Sequence, residues 1–377
     1  MSKVCCVFNI PSLYREKIYL DIDKEYDCEW YFEHEENDIN LFNVNKLKKT
    51  HILEHGKFIS RFYTMKGLVG MVWKRKDYNK FLMVGTPVCI SLWVLCILLK
   101  VFRPTKRIYF WTHGWYGKET FAERVIKKNF LKLADELFIY GNYAKDLLVK
   151  EGFKAKNMHV IHNSLSYDVQ MELRKQMKKT AVYIEHFGNQ NPILIFIGRL
   201  TPVKRLDMLV QAITDLKSKG QDYNLVFIGD GPMRKGLEQK VKSLNISEQV
   251  WFYGACYDEL VNAELVYNAD LCVAPGNVGL TAIHALMFGC PVITHNDFRY
   301  QMPEFEAITP CYTGNFFKRG DQESLNDKII EWFRVNGNQR GHIKQLCYKE
   351  VDEQWNPYFQ MDVIKKVFNW QKRDKFN

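Results

Sequence analysis

The sequence predicts an α/β protein of two doubly wound domains, each a parallel sheet with helices on both faces. Three observations predict it. The chain has 377 residues, more than one hydrophobic core usually serves. Short apolar strands alternate with helical patterns through both halves, the rhythm of βαβ units. In the second half the strands run into glycines and cations, at the carboxyl ends where such sheets hold ligands.

In the first half, residues 4–8 read as a strand, 12–20 as a short helix, and Tyr31 lies in or near a second strand. Residues 81–99 form a run of 19 without a charge, long enough to span a bilayer. Gly85-Thr-Pro87 interrupts it. The expectation is therefore a buried strand over 80–85 and a buried helix over 87–101, with Pro87 in its first turn. A strand over 107–112 ends at His113-Gly114. Residues 120–134 have helical periodicity, and 136–140 form a strand. Asn142 is placed to cap a helix that Gly152 ends. A strand over 158–161 closes the half, and the polar stretch 167–180 separates it from the next.

The second half restarts with the strand 193–197. In the helix 205–217, Leu206, Leu209, Val210 and Ile213 mark one buried face. Strands follow at 225–228, 250–253, 270–274 and 291–294, with helices at 233–244, at 258–267 and after Gly279. A closing helix is expected over 361–371. No internal repeat is visible at the level of residues.

The chemistry gathers at two of these strand ends. After 193–197 come Gly198, Arg199 and Lys204. After 270–274 comes Pro275-Gly276-Asn277-Val278-Gly279-Leu280, leading into a helix that carries His284. Backbone N–H groups and the positive end of a helix suit an anion. Arg199 and Lys204 would add charge-assisted hydrogen bonds. Together they make a site for a doubly charged phosphate group.

Composition narrows the classes. The net charge is +10. Residues 46–132 carry 19 Lys/Arg against four Asp/Glu, with Phe58, Phe62, Tyr63, Trp73 and Tyr78 among them. One reading is a well-solvated basic face. The other is attraction to an anionic membrane, where each cation contributes about 1 kcal/mol. No helix-turn-helix, ribonucleoprotein or zinc-finger pattern supports a nucleic-acid partner. The ten cysteines include no CxxC pair and no metal spacing, against a zinc site or a disulfide framework. The N-terminus lacks the features of a signal peptide, and a cytoplasmic protein, peripheral on the inner face of the plasma membrane, is expected. Asp21-Ile-Asp23 has a DxD spacing that can hold a divalent cation, but stands in a crowd of acids. No metal site is expected.

Gly198-Arg199-Leu-x3-Lys204, Gly229-Asp-Gly-Pro232 and the block from Gly279 to Val292 resemble the retaining glycosyltransferases of family 4, glycosyl transferases group 1, with the GT-B fold. The resemblance is dense over 192–317 and rests elsewhere on strand–helix order and His113-Gly114. It implies two Rossmann-like domains facing a central cleft: 1–165 on the acceptor side, 166–350 binding a nucleotide sugar, and 351–377 returning to the first. It implies transfer of a hexosyl unit, with retention, from a nucleotide-diphosphate donor to a glycan or lipid-linked glycan. A role in bacterial surface polysaccharide synthesis, with no cofactor and no metal, is the expectation.

By the same resemblance Arg199 and Lys204 act on the leaving diphosphate and His113 lies beside the donor sugar. The donor is bound by Gly198, Gly229, Tyr253, Gly254, Gly276, Asn277, Val278, Gly279, Leu280 and His284. For Gly229 a common turn, for Tyr253 a plain strand position and for His113 a structural role stand as alternatives. One departure matters. The family places two glutamates where this chain has Gly276 and His284. A neutral imidazole can still accept from a ribose hydroxyl. Glycine cannot stand in for a carboxylate, so a catalytically impaired homologue that binds nucleotide sugars or glycans is the alternative function. A dehydrogenase is disfavoured because Gly229-Asp-Gly231 lacks the third glycine of a dinucleotide site.

Overall fold

The computed structural model describes residues 3–34 and 41–370. The chain divides into two compact units. One runs to Ser166 and takes in the chain from Pro357; the other runs from Tyr167 to Asn356.

The first unit is built on β1 (Lys3–Phe8), β2 (Asp27–His34), β3 (Thr50–Lys57), β4 (Tyr63–Met65), β5 (Lys80–Val84), β6 (Arg107–Thr112), β7 (Glu136–Ile139) and β8 (Met158–Val160). They form one sheet in the order β4-β3-β2-β1-β5-β6-β7-β8. Neighbours are parallel except β3 and β4. The period-two alternation of each strand feeds two cores. Cys5, Val7, Phe81, Met83, Ile108 and Phe110 point to one face, under the helices Leu68–Lys74, Ile90–Phe102 and Phe121–Leu131. Val4, Cys6, Phe8, Leu82, Tyr109 and Trp111 point to the other, under Glu16–Glu25 and the last helix, Pro357–Trp370. Phe368 of that last helix lies 4.6 Å from the Tyr109 ring and 5.2 Å from Tyr26. Full burial of such a ring contributes about 1.5–3 kcal/mol.

The second unit holds β9 (Ile193–Ile197), β10 (Asn224–Ile228), β11 (Val250–Gly254), β12 (Leu271–Ala274), β13 (Val292–His295) and β14 (Gly314–Phe317). Their order is β11-β10-β9-β12-β13-β14, all parallel. The direction of winding reverses between β9 and β12. That reversal is the switch point at which open α/β sheets bind ligands.

Several expectations are corrected. The polar stretch 167–180, expected to separate the halves, belongs to the second unit: Tyr167–Gln176 is a helix, with Gln170 buried, and Arg174 pairs with Asp352 at 2.7 Å. Pro87 lies before its helix, which starts at Ile90 after Cys89. Asn142 is the first helical residue; the cap position is Gly141. The uncharged run 81–99 divides between β5 and the helix Ile90–Phe102. Among the described residues no helix is long and apolar enough to cross a membrane. The closing helix ends its described part at Trp370, so the expected end at Gln371 lies outside the described residues.

Candidate functional site

The glycines of the second unit knit its strand ends together. A Cβ on Gly229 would lie 2.0 Å from the Gly198 carbonyl oxygen, and one on Gly231 would lie 2.6 Å from that of Leu200. Only bare backbone fits. The Gly229 amide donates to Gly254 O at 2.7 Å, and the Leu200 amide to Asp230 O at 2.9 Å. Gly198, Gly229 and Gly254 thereby line up at the carboxyl edge of β9, β10 and β11. Tyr253 stands beside them, 37% exposed, its ring 5.2 Å from Trp251.

At the switch point the loops after β9 and β12 close on each other. Pro202–Lys204 is a single 3-10 turn, and Arg205 leaves it with φ 49°. The Gly276 amide donates to Lys204 O at 2.9 Å, and the Lys204 ammonium donates to Asn277 O at 2.7 Å. Burial pushes the Lys204 pKa down to about 8, against the pull of the Glu304 carboxylate. Arg199 is exposed, one residue past Gly198. Gly279 takes φ 53°, ψ −152° at the cap of the helix Leu280–Met287. The arrangement offers a partly dehydrated cation and a helix start on one loop pair, a combination that receives phosphate oxygens.

Gly276 explains the missing family glutamate in steric terms. Its Cβ would meet Val203 O at 1.9 Å and the Lys204 backbone at 2.7 Å. No side chain fits unless the Val203–Lys204 turn moves. His284 does reach a carboxylate, but one supplied by another helix: its Nε2 lies 2.9 Å from Glu259 Oε1. Gln170 Nε2 donates to the same oxygen at 2.7 Å. Burial pushes the Glu259 carboxyl up, but His284 and Gln170 outweigh it and hold the pKa below the usual value.

Sequence reasoning missed Glu259, and it missed the pair that shapes the β12 loop. Thr294 Oγ1 donates to Ala274 O at 2.8 Å. Gln301 Nε2 donates to Thr294 Oγ1 at 2.8 Å, and its Oε1 accepts the Val278 amide at 2.9 Å. The Val278 amide is therefore engaged by protein. Both side chains are fully buried or nearly so. They lie close together at and just after the end of β13, which pairing with β12 brings to this loop, and no spacing signal marks them.

In the first unit, His113 follows β6 and its ring lies 4.7 Å from Tyr140. Burial, then the charges of Arg15 and Lys127, push its pKa down to about 4. At neutral pH it is an uncharged imidazole, suited to hydrogen bonding rather than to charge stabilisation. Asp21 and Asp23, the DxD pair, are engaged structurally: Lys17 holds Asp21 at 2.6 Å, and Trp30 Nε1 donates to Asp23 at 2.8 Å. Among the described residues, no group of three or more His, Cys, Asp and Glu could hold a metal ion.

Comparison with known proteins falls on the same segment. Residues 178–347 match the family model for glycosyl transferases group 1. A mannosyltransferase of Mycobacterium tuberculosis, GDP-mannose-dependent alpha-(1-6)-phosphatidylinositol dimannoside mannosyltransferase, is 36% identical over 113 residues, which is 29% of each chain. EpsD of Bacillus subtilis, a putative glycosyltransferase, is 26% identical over 166 residues, 43% of this chain and 40% of that one. These two curated relatives are thus matched over well under half their length. Solved structures match over nearly the whole chain. HepE of Anabaena, in complex with UDP, gives a TM-score of 0.71 at 15% identity, covering 97% of this chain and 99% of that one. Sucrose-phosphate synthase of Thermosynechococcus elongatus gives 0.70 at 16% identity, covering 99% and 100%.

Proposed function

With residues 178–347 placed among the glycosyl transferases group 1 and the fold as GT-B, we propose that this protein transfers a sugar from a nucleoside-diphosphate donor to a glycan or lipid-linked glycan acceptor. The observation that carries the reading is the clasp of Lys204 on the Gly276–Gly279 loop at the β9/β12 switch point. A departing diphosphate gains negative charge, and a fixed cation with a helix start offsets it in the transition state. HepE was solved with UDP, a ligand of the chemistry proposed for this clasp. His113, uncharged and at a strand end, is proposed to hydrogen-bond a sugar hydroxyl.

Retention at the anomeric carbon, hexosyl transfer, independence from metal and a role in bacterial surface polysaccharide synthesis belong to the same proposal and rest on the family resemblance. Peripheral attachment to an anionic membrane rests on the basic segment 46–132. The helix Ile90–Phe102 adds exposed Val101 and Phe102, which suits an interface. The Gly276 contact favours a second reading, a binding protein without turnover, because it leaves no room for the family's carboxylate.

The test is release of nucleoside diphosphate from a panel of nucleotide sugars, with and without glycan acceptors. Acceptor-dependent release by the wild type that is lost in Lys204→Ala supports the transferase. Nucleotide binding without any release favours the second reading. Failure to bind any nucleotide contradicts both.

A further inference from the structure

Arg15 occupies an unusual position in the first unit. It closes the 3-10 turn Leu13–Arg15 after β1 and is part-buried. Its guanidinium lies 5.3 Å from the Tyr14 ring centroid and 5.7 Å from those of Trp111 and Tyr140. Nη2 donates to the Tyr140 hydroxyl. Among the described residues it pairs with no carboxylate. A guanidinium that sheds water without gaining an anion is costly. Three other part-buried cations of this unit avoid that cost: Arg75 has Glu29, Lys100 has Asp135 and Lys127 has Glu119.

The groups around Arg15 share its character. Trp111 is 2% exposed and its indole Nε1, a donor only, is sealed from solvent without a partner. His113 Nδ1 and Arg15 Nε are sealed and unpartnered as well. His113 Nε2 is hydrogen-bonded to nothing among the described residues, and Arg15 meets only hydroxyls, those of Tyr140 and Tyr19, and no anion. The result is a part-buried, donor-rich cluster. It sits past the carboxyl ends of β1, β6 and β7, at the edge where this class of sheet receives ligands.

We propose that Arg15, with His113 beside it, receives an oxyanion carried by the sugar substrate, either the carboxylate of an acidic sugar or a phosphate ester. Resting on the transferase reading above, this makes the substrate an anionic one and Arg15 a specificity-determining residue. A guanidinium presents paired N–H groups that match either oxyanion in a fork. The aromatic rings hold it in place and exclude the water that would screen it.

The full-length protein is titrated calorimetrically with glucuronate, glucose 6-phosphate, glucose and inorganic phosphate, and separately with UDP, GDP and ADP. The wild type is expected to bind glucuronate or glucose 6-phosphate in clear preference to glucose. Whichever acid binds identifies the source, carboxylate or phosphate. Arg15→Gln should weaken that binding about ten- to a hundredfold, as loss of a charge-assisted hydrogen bond does. Arg15→Lys should fall between, keeping the charge and losing the fork. Nucleotide binding should be unchanged in both variants. If Arg15→Gln fails to fold, the wild-type preference and Arg15→Lys decide. Equal binding of acidic and neutral sugars by the wild type, or acid binding that survives either folded variant at full strength, overturns the proposal. Loss of nucleotide binding by the wild type would instead strike the transferase reading.

Discussion

The Lys204 ammonium, held down to about 8 by burial, gives up its proton within the range of an ordinary activity assay. The charged form binds a diphosphate and the neutral form does not. Nucleoside diphosphate affinity should therefore be flat at lower pH and fall as pH rises through about 8. A bound diphosphate shifts that midpoint upward by linkage. A Lys204→Arg variant should flatten the profile, because guanidinium stays charged. Lys204→Ala should lower transfer by about 10²–10³, the range for a preorganised charge-stabilising group. His113 gives the opposite test. Its folded pKa of about 4 lies below the unfolded value of about 6.5. The unfolded chain therefore binds protons first, and stability should drop between pH ~6.5 and ~4. Denaturant midpoints of the wild type should show that drop, and those of His113→Gln should show less of it. At Gly276, restoring the family's glutamate should fail. The Val203 carbonyl stands 1.9 Å from the added Cβ, so Gly276→Glu should cost about 1–3 kcal/mol, as overpacking does. Lys204 and the Gly276–Gly279 run were legible as residues because glycines and cations at strand ends carry their own signal. Thr294, Gln301 and Glu259 were not, since sheet pairing and helix packing bring them to the site and no sequence spacing does.

Among the elements, those with strong apolar patterns were read within a few residues: β1, β5, β6, β9, β10 and β12 are all fully buried or nearly so. The misses share the opposite property. β3, Thr50–Lys57, carries two histidines, a glutamate and a lysine, and Ile52 in its middle is exposed. Its partner β4 has only Tyr63–Met65. Tyr167–Gln176 is a polar helix, held by Gln170 on Glu259 and Arg174 on Asp352. Ion pairs and amide contacts give no periodic signature, so such a helix reads as a polar stretch between the halves. The last helix was expected over 361–371 and begins earlier, at Pro357. Phe368 supplies the test of its contribution. It is 1% exposed and contacts Tyr26, Tyr109 and Phe138. Phe368→Ala should cost about 3–5 kcal/mol in urea unfolding, while nucleotide affinity, proposed for the second unit, stays unchanged.

The whole chain carries its charge unevenly, and that asymmetry has a readout. Residues 46–132 have a net charge of +15, from 19 Lys/Arg and four Asp/Glu. Many of these cations already meet acids: Arg61 pairs with Glu123, Lys66 with Glu54 and Arg124 with Glu151. Pairs this exposed hold each other weakly, so the segment keeps much of its outward field. Vesicle sedimentation should show binding to phosphatidylserine-containing vesicles that falls with salt; equal binding to neutral vesicles would remove the electrostatic account. The two-sheet architecture was legible at this scale because each half repeats the same strand–helix rhythm. The order of strands was not: nothing in the sequence says that β12 pairs with β9, and that pairing makes the switch point.

Calorimetric titration of the wild type and of Lys204→Ala with UDP, GDP and ADP tests the central claim most directly. The account predicts that at least one nucleoside diphosphate binds the wild type and that the variant, still folded, binds it about ten- to a hundredfold more weakly. Equal affinity in the two proteins would contradict it.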